Sequence, residues 1–320
     1  MCISIWHTFP DSSNQTDLKF ILAFNRDETY SRKTALLHQW TDRSVIGGRD
    51  MHDLRVKLGD NGTWLGLDPK SGRISFLTNI MLPRVDLTLE KIADPGKSEK
   101  SKNISRGMLI PNLLNLTDSE LNQTASVEEY LRNLKPEDYT GEFNIMATNE
   151  HFEVSGQLNG EFKKFQIGVC HAVTNQRDPG CCWNKAAIGK TLLHRIIDEN
   201  TDSVEIQDEI FQMMINMDST ETDSKIVEQH GLSENEDQNK ELFKFFDNYG
   251  KIYQEHHDDF MKNSYGTRST TVILVFQDRS YRIVERSRDS ANNIMLDGTV
   301  IKAQNDGWRE IEMSGKFGDI

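Results

Sequence analysis

The sequence has no long apolar segment and no excess of positive charge. No stretch reaches the roughly 18 to 20 uninterrupted apolar residues of a membrane-spanning helix, and no charged-then-apolar leader opens the chain. The formal net charge of -13 argues against nucleic-acid binding, which needs a basic surface, and against attraction to anionic membranes. We therefore expect a cytoplasmic protein that binds no nucleic acid and has no integral membrane segment.

Cysteine is also scarce. The 320 residues contain four cysteines, at Cys2, Cys170, Cys181 and Cys182. This number is too small for a disulfide scaffold, so reduced thiols are expected. No Cys-x-x-Cys pair, His-Glu-x-x-His motif or Cys-x-x-Cys-His haem attachment occurs. The motifs therefore predict no metal site and no covalently attached haem.

Two apolar segments near the start of the chain predict a β-hairpin. Residues 2–6 alternate large apolar with small or polar side chains, and residues 20–24 form a short apolar run. Residues 10–14 between them have turn-forming composition. A pivot near residues 12 and 13 would set Cys2 opposite Ala23 and bring the residues that follow the second strand beside the beginning of the chain.

The residues at this corner suggest a nucleophile. Removal of Met1, which is common before a small residue, would leave Cys2 with an α-amino group of pKa about 7.7 to 8.0, low enough for a general base. Arg26 beside it would favour the thiolate, the reactive form of cysteine. The alternative is an inert cysteine in an edge strand, because free cysteine is among the most buried residue types.

Further along the chain, hairpins alternate with helices. We predict a loop over 40–60, hairpins at 62–79 and 265–285, a helical layer over 97–134 interrupted at Pro111, strands over 143–147, 152–154 and 165–173, and helices beginning near 183 and 211. Hairpins in place of β-α-β units predict an α+β fold of antiparallel sheets covered by helices. We expect a single domain over 1–320, with an acidic loop or disordered insert at about 218–240.

Three polar residues lie where predicted strands begin or end. Asn79 and Asn175 each close an apolar strand, and Arg268 precedes a β-branched one. Binding groups are often found at such element ends. The alternative is that the asparagines are turn or cap residues and that the arginine is a solvated cation.

Several motifs resemble the transport and Golgi organization protein 2 family, which is also named for its Asn-Arg-Asp-Glu motif. They are Met1-Cys2-Ile3, Asn25-Arg26-Asp27-Glu28, Gly62-Thr63-Trp64-Leu65-Gly66, Leu77-Thr78-Asn79, Phe143-Asn144, Thr174-Asn175, Trp183 with Lys185, and Tyr265-Gly266-Thr267-Arg268. The resemblance covers nearly the whole chain. The sequence departs from the family pattern at three places. Residues 172–175 replace a Gly-Leu-Ser-Asn type run, Cys182 stands where a proline usually precedes the tryptophan, and the acidic insert is additional.

The resemblance implies an N-terminal nucleophile hydrolase-like fold, a four-layer α-β-β-α sandwich of antiparallel sheets. Penicillin V acylases, choloylglycine hydrolases and acid ceramidases are similar, and they use a second-residue cysteine. By this resemblance the roles would be nucleophile for Cys2, charge partner for Arg26, amine orienter for Asp27, oxyanion donors for Asn79 and Asn175, and site electrostatics for Arg268. The acylases separate the arginine from the aspartate, whereas Arg26 and Asp27 are adjacent, so only one is expected to face the site. The expected ligand pocket consists of these six residues with Asn25 and Glu28.

The family resemblance also implies a function. It favours a non-catalytic protein of intracellular haem trafficking, with haem as cargo and no catalytic metal, in the cytoplasm or associated with mitochondria or Golgi. The alternatives are an acyl-coenzyme A or lipid-binding protein of lipid homeostasis and Golgi organisation, a Cys2-dependent amidohydrolase, and an interaction protein. Two arginines in the pocket would favour an anionic ligand. The oligomeric state is left open.

Overall fold

A computed structural model of the protein describes residues 2–11, 16–52, 61–80, 104–116, 126–175, 184–215, 257–258, 264–288, 292–296, 301–305 and 307–318. The prediction for the acidic segment 218–240 lies outside these ranges, as do Cys181 and Cys182.

The described residues form two eight-stranded sheets. The first contains β1 (Ile3–Thr8), β2 (Leu18–Thr29), β12 (Cys170–Thr174), β13 (His257–Asp258), β14 (Ser264–Phe276), β15 (Ser280–Arg288), β17 (Ile301–Asn305) and β18 (Trp308–Lys316). The second contains β3 (Thr34–Gln39), β4 (Ile46–Asp50), β5 (Leu65–Leu67), β6 (Ile74–Asn79), β9 (Phe143–Thr148), β10 (Val154–Leu158), β11 (Glu161–Lys164) and β16 (Asn293–Ile294).

Strand order places β2 inside the first sheet. That order is β12-β1-β2-β14-β15-β18-β17, with β13 beside β14, and the second sheet runs β11-β10-β9-β6-β5-β4-β3-β16. Pairing is antiparallel except between β16 and β3 and in a small separate ribbon, where β7 (Ile104–Ser105) pairs with β8 (Tyr139–Thr140). Because β1 and β14 flank β2, the start of the chain and the Asn-Arg-Asp-Glu segment lie side by side.

Three apolar cores separate four layers. Between the sheets, residues such as Trp6, Phe24 and Phe76 pack together. The outer face of the first sheet packs on α3 (Asn184–Glu199) and α4 (Ser203–Ile215), and that of the second sheet packs on α1 (Leu109–Leu114) and α2 (Val127–Asn133). The predicted α+β architecture, an α-β-β-α sandwich with mostly antiparallel sheets, is confirmed. No helix in the described ranges has both the length and the apolar character needed to cross a membrane.

The first hairpin exists, but its predicted register is wrong. Ile5 pairs with Ala23, and Ile3 pairs with Asn25, so Cys2 is not opposite Ala23. The strands extend further than the apolar runs suggested, and Phe9 N–H still donates to the Lys19 carbonyl at 3.0 Å. The strands therefore pair three positions away from the predicted register, and Ile3, the residue after Cys2, lies opposite Asn25 of the Asn-Arg-Asp-Glu segment.

Two predicted boundaries are also wrong. Residues 40–60 were expected to be a loop, yet Gly47 and Gly48 lie in β4. A Cβ atom at Gly47 would stand 2.5 Å from the Leu65 carbonyl oxygen, so glycine here allows neighbouring strands to approach closely. The strand predicted over 165–173 begins only at Cys170, because Gly168, with φ +80°, makes a turn before it.

The helical layers follow the predicted signals with one exception. The Ser126 side chain caps α2 by accepting a hydrogen bond from the Glu129 N–H at 3.2 Å. The apolar stripe predicted after residue 183 forms α3. The exception is Pro111, which was expected to interrupt a helix. It lies instead in the first turn of α1, where a backbone N–H has no acceptor within the helix, so the proline does not break it.

A buried carboxylate connects the two sheets. The register of β3 against β4 shifts between Ala35 and His38, and this irregularity turns the Leu37 N–H away from the ladder. Glu285 of β15 accepts that N–H at 3.0 Å and also a hydrogen bond from the Ser287 hydroxyl at 3.0 Å. Burial raises the pKa of Glu285, because the charged form loses its hydration.

We expect Glu285→Ala to lower the free energy of unfolding by about 1 to 3 kcal/mol, because the buried Leu37 N–H would lose its acceptor. Glu285→Gln keeps an oxygen acceptor without the buried charge and should lie within about 1 kcal/mol of wild type. Urea denaturation measures both, with the exposed Glu209→Ala as the control. Equal stability of Glu285→Ala and Glu209→Ala would contradict this account of the inter-sheet contact.

Candidate functional site

A cavity of about 420 Å³ lies at the ends of β2 and β6. Of the residues predicted from sequence, it is lined by Cys2, Arg26, Asp27, Glu28, Asn79 and Asn175. Further lining residues include Arg32, Asp50, Trp64, Arg106 and Tyr265. Six of the eight predicted residues therefore meet at one cavity, although they are separated by up to 173 positions in the chain.

Cys2 lies immediately before β1, and 8 % of its surface is exposed. Its thiol donates a hydrogen bond to the Asp27 carbonyl oxygen, with the sulfur 3.9 Å from that oxygen. Burial raises the pKa of the thiol, whereas the charge at the chain terminus and the Arg26 guanidinium act in the opposite direction more weakly. The prediction that Arg26 favours the thiolate thus has the right sign, but desolvation outweighs it.

Arg26 is held by an aromatic ring and a hydroxyl group. Its guanidinium carbon lies 3.9 Å from the centroid of the Trp64 ring, and Nη1 donates to the Thr34 hydroxyl at 2.9 Å. Gly48 makes room for this ring, because a Cβ atom there would lie 2.6 Å from a Trp64 ring carbon. Burial lowers the pKa of Arg26, and the carboxylates of Glu28 and Asp50 counteract this shift.

The Gly-Thr-Trp-Leu-Gly motif builds a cavity wall through its backbone. A Cβ atom on Gly62 would lie 2.2 Å from the Gly107 carbonyl carbon, so the two glycines allow direct backbone contact. The Thr63 N–H donates to the Gly107 carbonyl oxygen at 3.0 Å across this contact. The motif therefore positions Trp64 beneath Arg26.

Arg26 and Asp27 direct their side chains differently, as strand alternation requires. The Asp27 carboxylate accepts a hydrogen bond from the Thr267 hydroxyl of β14 at 2.6 Å. Its backbone carbonyl faces the cavity and accepts hydrogen bonds from the Cys2 thiol and from the Tyr265 hydroxyl, the latter at 3.1 Å. Asp27 therefore meets the thiol through its main chain.

The two asparagines lie together where the sheets meet. Asn175 Nδ2 donates to the Asn79 carbonyl oxygen, and its Oδ1 is buried without a hydrogen-bond partner among the described residues. Their neighbours join the sheets, since the Thr78 hydroxyl donates to the Thr174 carbonyl at 2.6 Å and Asn144 Nδ2 donates to the same oxygen at 3.1 Å. Asn175 thus presents an acceptor, whereas the oxyanion role implied by the resemblance requires a donor.

Basic and acidic residues both line the cavity. Arg32 forms a two-point ion pair with Asp50, at 3.1 Å from Nε and 2.5 Å from Nη2, and lies 3.7 Å from the Glu28 carboxylate. Arg106 Nη1 donates to the Glu142 carbonyl at 3.0 Å. Hydrogen bonding to Arg32 lowers the pKa of Asp50 despite burial, so this acid stays ionised.

Two predicted residues lie outside the lining. Asn25 Nδ2 donates to the Met214 carbonyl of α4 at 3.0 Å, which places its side chain on the helix side of the first sheet. Arg268 lies in a bulge of β14, and its guanidinium donates to the Thr29 carbonyl at 3.2 Å and to Asn293 Oδ1 at 2.6 Å. Burial lowers the pKa of Arg268 to about 10. The expectation that both residues face the ligand pocket is not met by these contacts.

Lys185 was not predicted as a site residue, yet burial lowers its pKa to about 8, and the charges of Asp27 and Cys2 act in the opposite direction. It lies in the first turn of α3, and 1 % of its surface is exposed. Its signal in the sequence is a lysine three and seven positions before Ile188 and Leu192, on the apolar stripe of the helix. Among the residues that the structure describes, no cluster of three or more His, Cys, Asp or Glu side chains is placed to hold a metal ion.

A family model described as Transport and Golgi organisation 2 matches residues 1–290, which is most of the chain. The chain belongs to this family. Over 281 residues it is 22% identical to the Transport and Golgi organization protein 2 of Drosophila melanogaster, with 84% of this chain and 86% of that protein aligned. The human homolog is 34% identical over 87 residues, which are 27% of this chain. The match spans only 30% of the human protein's length.

A search of solved structures finds a variant of the conjugated bile acid hydrolase from Clostridium perfringens. The alignment covers 99% of this chain and 97% of that one, at 10% identity and a TM-score of 0.38. At this TM-score, the fold of this Transport and Golgi organisation 2 family member is assigned from the strand order and layers of the chain itself.

We expect Cys2 in the native protein to react slowly with iodoacetamide at neutral pH. Burial raises its pKa, so the midpoint of the alkylation rate against pH should lie above the ordinary value of about 8.5. Mass spectrometry of the tryptic peptide ending at Lys19 separates Cys2 from the other cysteines. The urea-unfolded chain is the control and should show the ordinary midpoint, while a native midpoint below it would refute the burial argument.

Proposed function

We propose that this protein binds an amphipathic ligand with an anionic end in the cavity beside Cys2, and that it carries haem as cargo between compartments. The observation that supports binding most directly is the convergence of Arg26, Arg32 and Arg106 on one cavity next to the Trp64 ring. Guanidinium groups bind carboxylates and phosphates through paired hydrogen bonds. A volume of about 420 Å³ is within the usual range of small-molecule sites.

Haem fits the chemistry of this lining. It combines an apolar macrocycle with two propionates, and the cavity combines Trp64, Leu77 and Ile80 with the three arginines. Among the described lining residues, Cys2 and Tyr265 are of the kinds that bind haem iron. The raised pKa of Cys2 means that iron binding by its sulfur would require loss of a strongly held proton.

The cellular role rests on the family. Its description names transport and Golgi organisation, and we propose a carrier in the cytoplasm that exchanges cargo with mitochondria or Golgi membranes. An acyl-coenzyme A or another anionic lipid is the alternative cargo, because its phosphates would suit the same arginines.

A second candidate function, amide hydrolysis by Cys2, is supported by one observation. Cys2 and Asn175 both line the cavity, and the buried Asn175 Oδ1 could accept a hydrogen bond from an α-amino group exposed by removal of Met1. In that reaction the Cys2 thiol would lose its proton and the thiolate would attack the amide carbon. The carbon–nitrogen bond would break as a proton passes to the leaving amine, and water would then hydrolyse the thioester to a carboxylic acid and the free thiol. The protonated thiol and the engaged Asn175 Nδ2 make this candidate the weaker one.

We expect Arg26→Ala and Arg106→Ala to weaken haem binding by about 1.5 to 3 kcal/mol each, the usual worth of a charged hydrogen bond. Absorbance titration with haem measures the affinity, and competition by an acyl-coenzyme A tests the alternative cargo. Arg268→Ala is the matched control, because this arginine is buried nearby but does not line the cavity. It should lower stability and leave haem affinity unchanged. Wild-type affinity in both cavity variants would refute the proposed pocket.

We expect no turnover of N-acylated amino acids by either wild type or Cys2→Ser. Amine release from a panel of acyl chain lengths measures turnover, and the intact mass of the protein shows whether Met1 is absent and whether Cys2 carries an acyl group. Amine release that wild type shows and Cys2→Ser lacks would establish the hydrolase in place of the carrier.

A further inference from the structure

A cysteine and a histidine are in contact on the helix side of the first sheet, outside the cavity. Cys170 of β12 lies directly opposite His7 of β1 in the antiparallel ladder, and its sulfur is 3.5 Å from His7 Nδ1. Cys170 packs with the core beneath the helices, whereas Trp6 packs between the sheets, so strand alternation places His7 on the helix side as well. Neither Cys170 nor His7 lines the cavity.

The separation of the two atoms matches that of two ligands on one tetrahedral zinc ion. Zinc lies about 2.3 Å from a thiolate sulfur and about 2.0 to 2.1 Å from an imidazole nitrogen, which at a tetrahedral angle puts the two ligand atoms about 3.5 to 3.6 Å apart. The observed 3.5 Å requires almost no movement of either strand. A zinc ion can therefore take the place of the proton between sulfur and nitrogen.

The strands and a neighbouring ring hold this pair in position. β1 is hydrogen-bonded to β12 on one edge and to β2 on the other. The His7 ring packs edge-on against Phe9, with the ring centroids 4.5 Å apart, and 8 % of the His7 surface is exposed. Cys170 is more exposed than His7, so a small ion can reach the sulfur. The pair is thus both preorganised and accessible.

Burial favours the uncharged forms of both side chains. It lowers the pKa of His7 to about 4 and raises that of Cys170 to about 12. The neutral imidazole is the form that binds metal ions. The thiol must release its proton to water as the zinc–sulfur bond forms, and the charge of a coordinated dication drives this step, because it stabilises the thiolate.

Helix α3 brings two further ligand types to the same side of the sheet. It packs against β12 and β1, and its His194 Nδ1 lies 3.0 Å from the Asp198 carboxylate one turn later. Both side chains are exposed. Three ligands are not already gathered at one point within the described ranges. Either His194 or Asp198 turns towards the ion, or water completes its coordination.

We propose that Cys170 and His7 form a binding site for a thiophilic divalent cation, with Zn²⁺ as the best fit, on the helix side of the first sheet. The site is separate from the cavity and does not depend on the ligand proposed for it. Its two ligands are 163 positions apart in the chain. Metal-binding motifs in a sequence consist of closely spaced residues, which is why none marks this site.

Titration of the whole protein with Co²⁺ tests the site, because a cobalt–thiolate bond gives a charge-transfer absorption band that Zn²⁺ then removes. Every protein in the series carries Cys181→Ser and Cys182→Ser, so that these thiols do not contribute. We expect one Co²⁺ per chain in this background. Cys170→Ser should abolish the band, and His7→Gln should weaken Co²⁺ binding by more than about tenfold, the least that loss of a supporting partner costs a metal site. Cys2→Ser is the matched control and should keep the band.

A protection experiment on the unaltered chain covers the case in which these variants fold poorly. Iodoacetamide labels the native protein with and without Zn²⁺, and the tryptic peptide 165–177 contains Cys170 and no other cysteine. Zn²⁺ should slow labelling of Cys170 by at least about tenfold, because a metal-bound sulfur is not free to attack.

The alternative is a thiol–imidazole hydrogen bond with no affinity for metal ions. It predicts no Co²⁺ band and equal labelling rates with and without Zn²⁺, and either result would overturn the proposal. A full band in folded Cys170→Ser would overturn it as well. Haem is absent from these assays, so failure of haem binding leaves their outcome unaffected.

Discussion

The double-sided pairing of β2 is the constraint on which the candidate site depends. β1 and β14 hold this strand on both edges, so successive side chains must point to opposite faces of the sheet. Phe24 and Arg26 therefore face the second sheet, while Asn25 faces the helices and the Asp27 carboxylate accepts a hydrogen bond from Thr267 within the first sheet. One four-residue motif thereby serves two layers, because Arg26 meets Trp64 in one direction and Asn25 bonds to the Met214 carbonyl of α4 in the other.

The charged side chains around the cavity are stabilised by neighbouring side chains of opposite charge. Arg32 and Asp50 form an ion pair, and burial lowers the pKa of Arg26 while the charges of Glu28 and Asp50 act in the opposite direction. Such arrangements make removal of one partner costly, because the other would remain as an uncompensated buried charge. They also leave the Cys2 thiol protonated at neutral pH, since desolvation exceeds the weak attraction of the nearby cations.

Short-range sequence patterns predicted the helices and strands, but they did not predict how the strands pair. The stripe from Ile188 to Ile196 predicted α3, and Ser126 predicted the start of α2, because both signals depend on residues a few positions apart. The register of the first hairpin was wrong, since the loop length is not set by the apolar runs. Gly47 and Gly48 suggested a loop, whereas the close approach of Leu65 and Trp64 explains their place in a strand.

The sequence by itself determined the family, the layered α+β class and six of the residues that line the cavity, because these follow from motifs and short-range periodicity. Only the tertiary structure decided that Asn25 and Arg268 turn to the helices and to β16, that Asn175 presents an acceptor, and that Lys185 is buried. The physical reason is that contacts between distant segments set the strand register, the bulge in β14 and the burial between layers. These contacts decide where each side chain points and how burial shifts the pKa of each ionisable group.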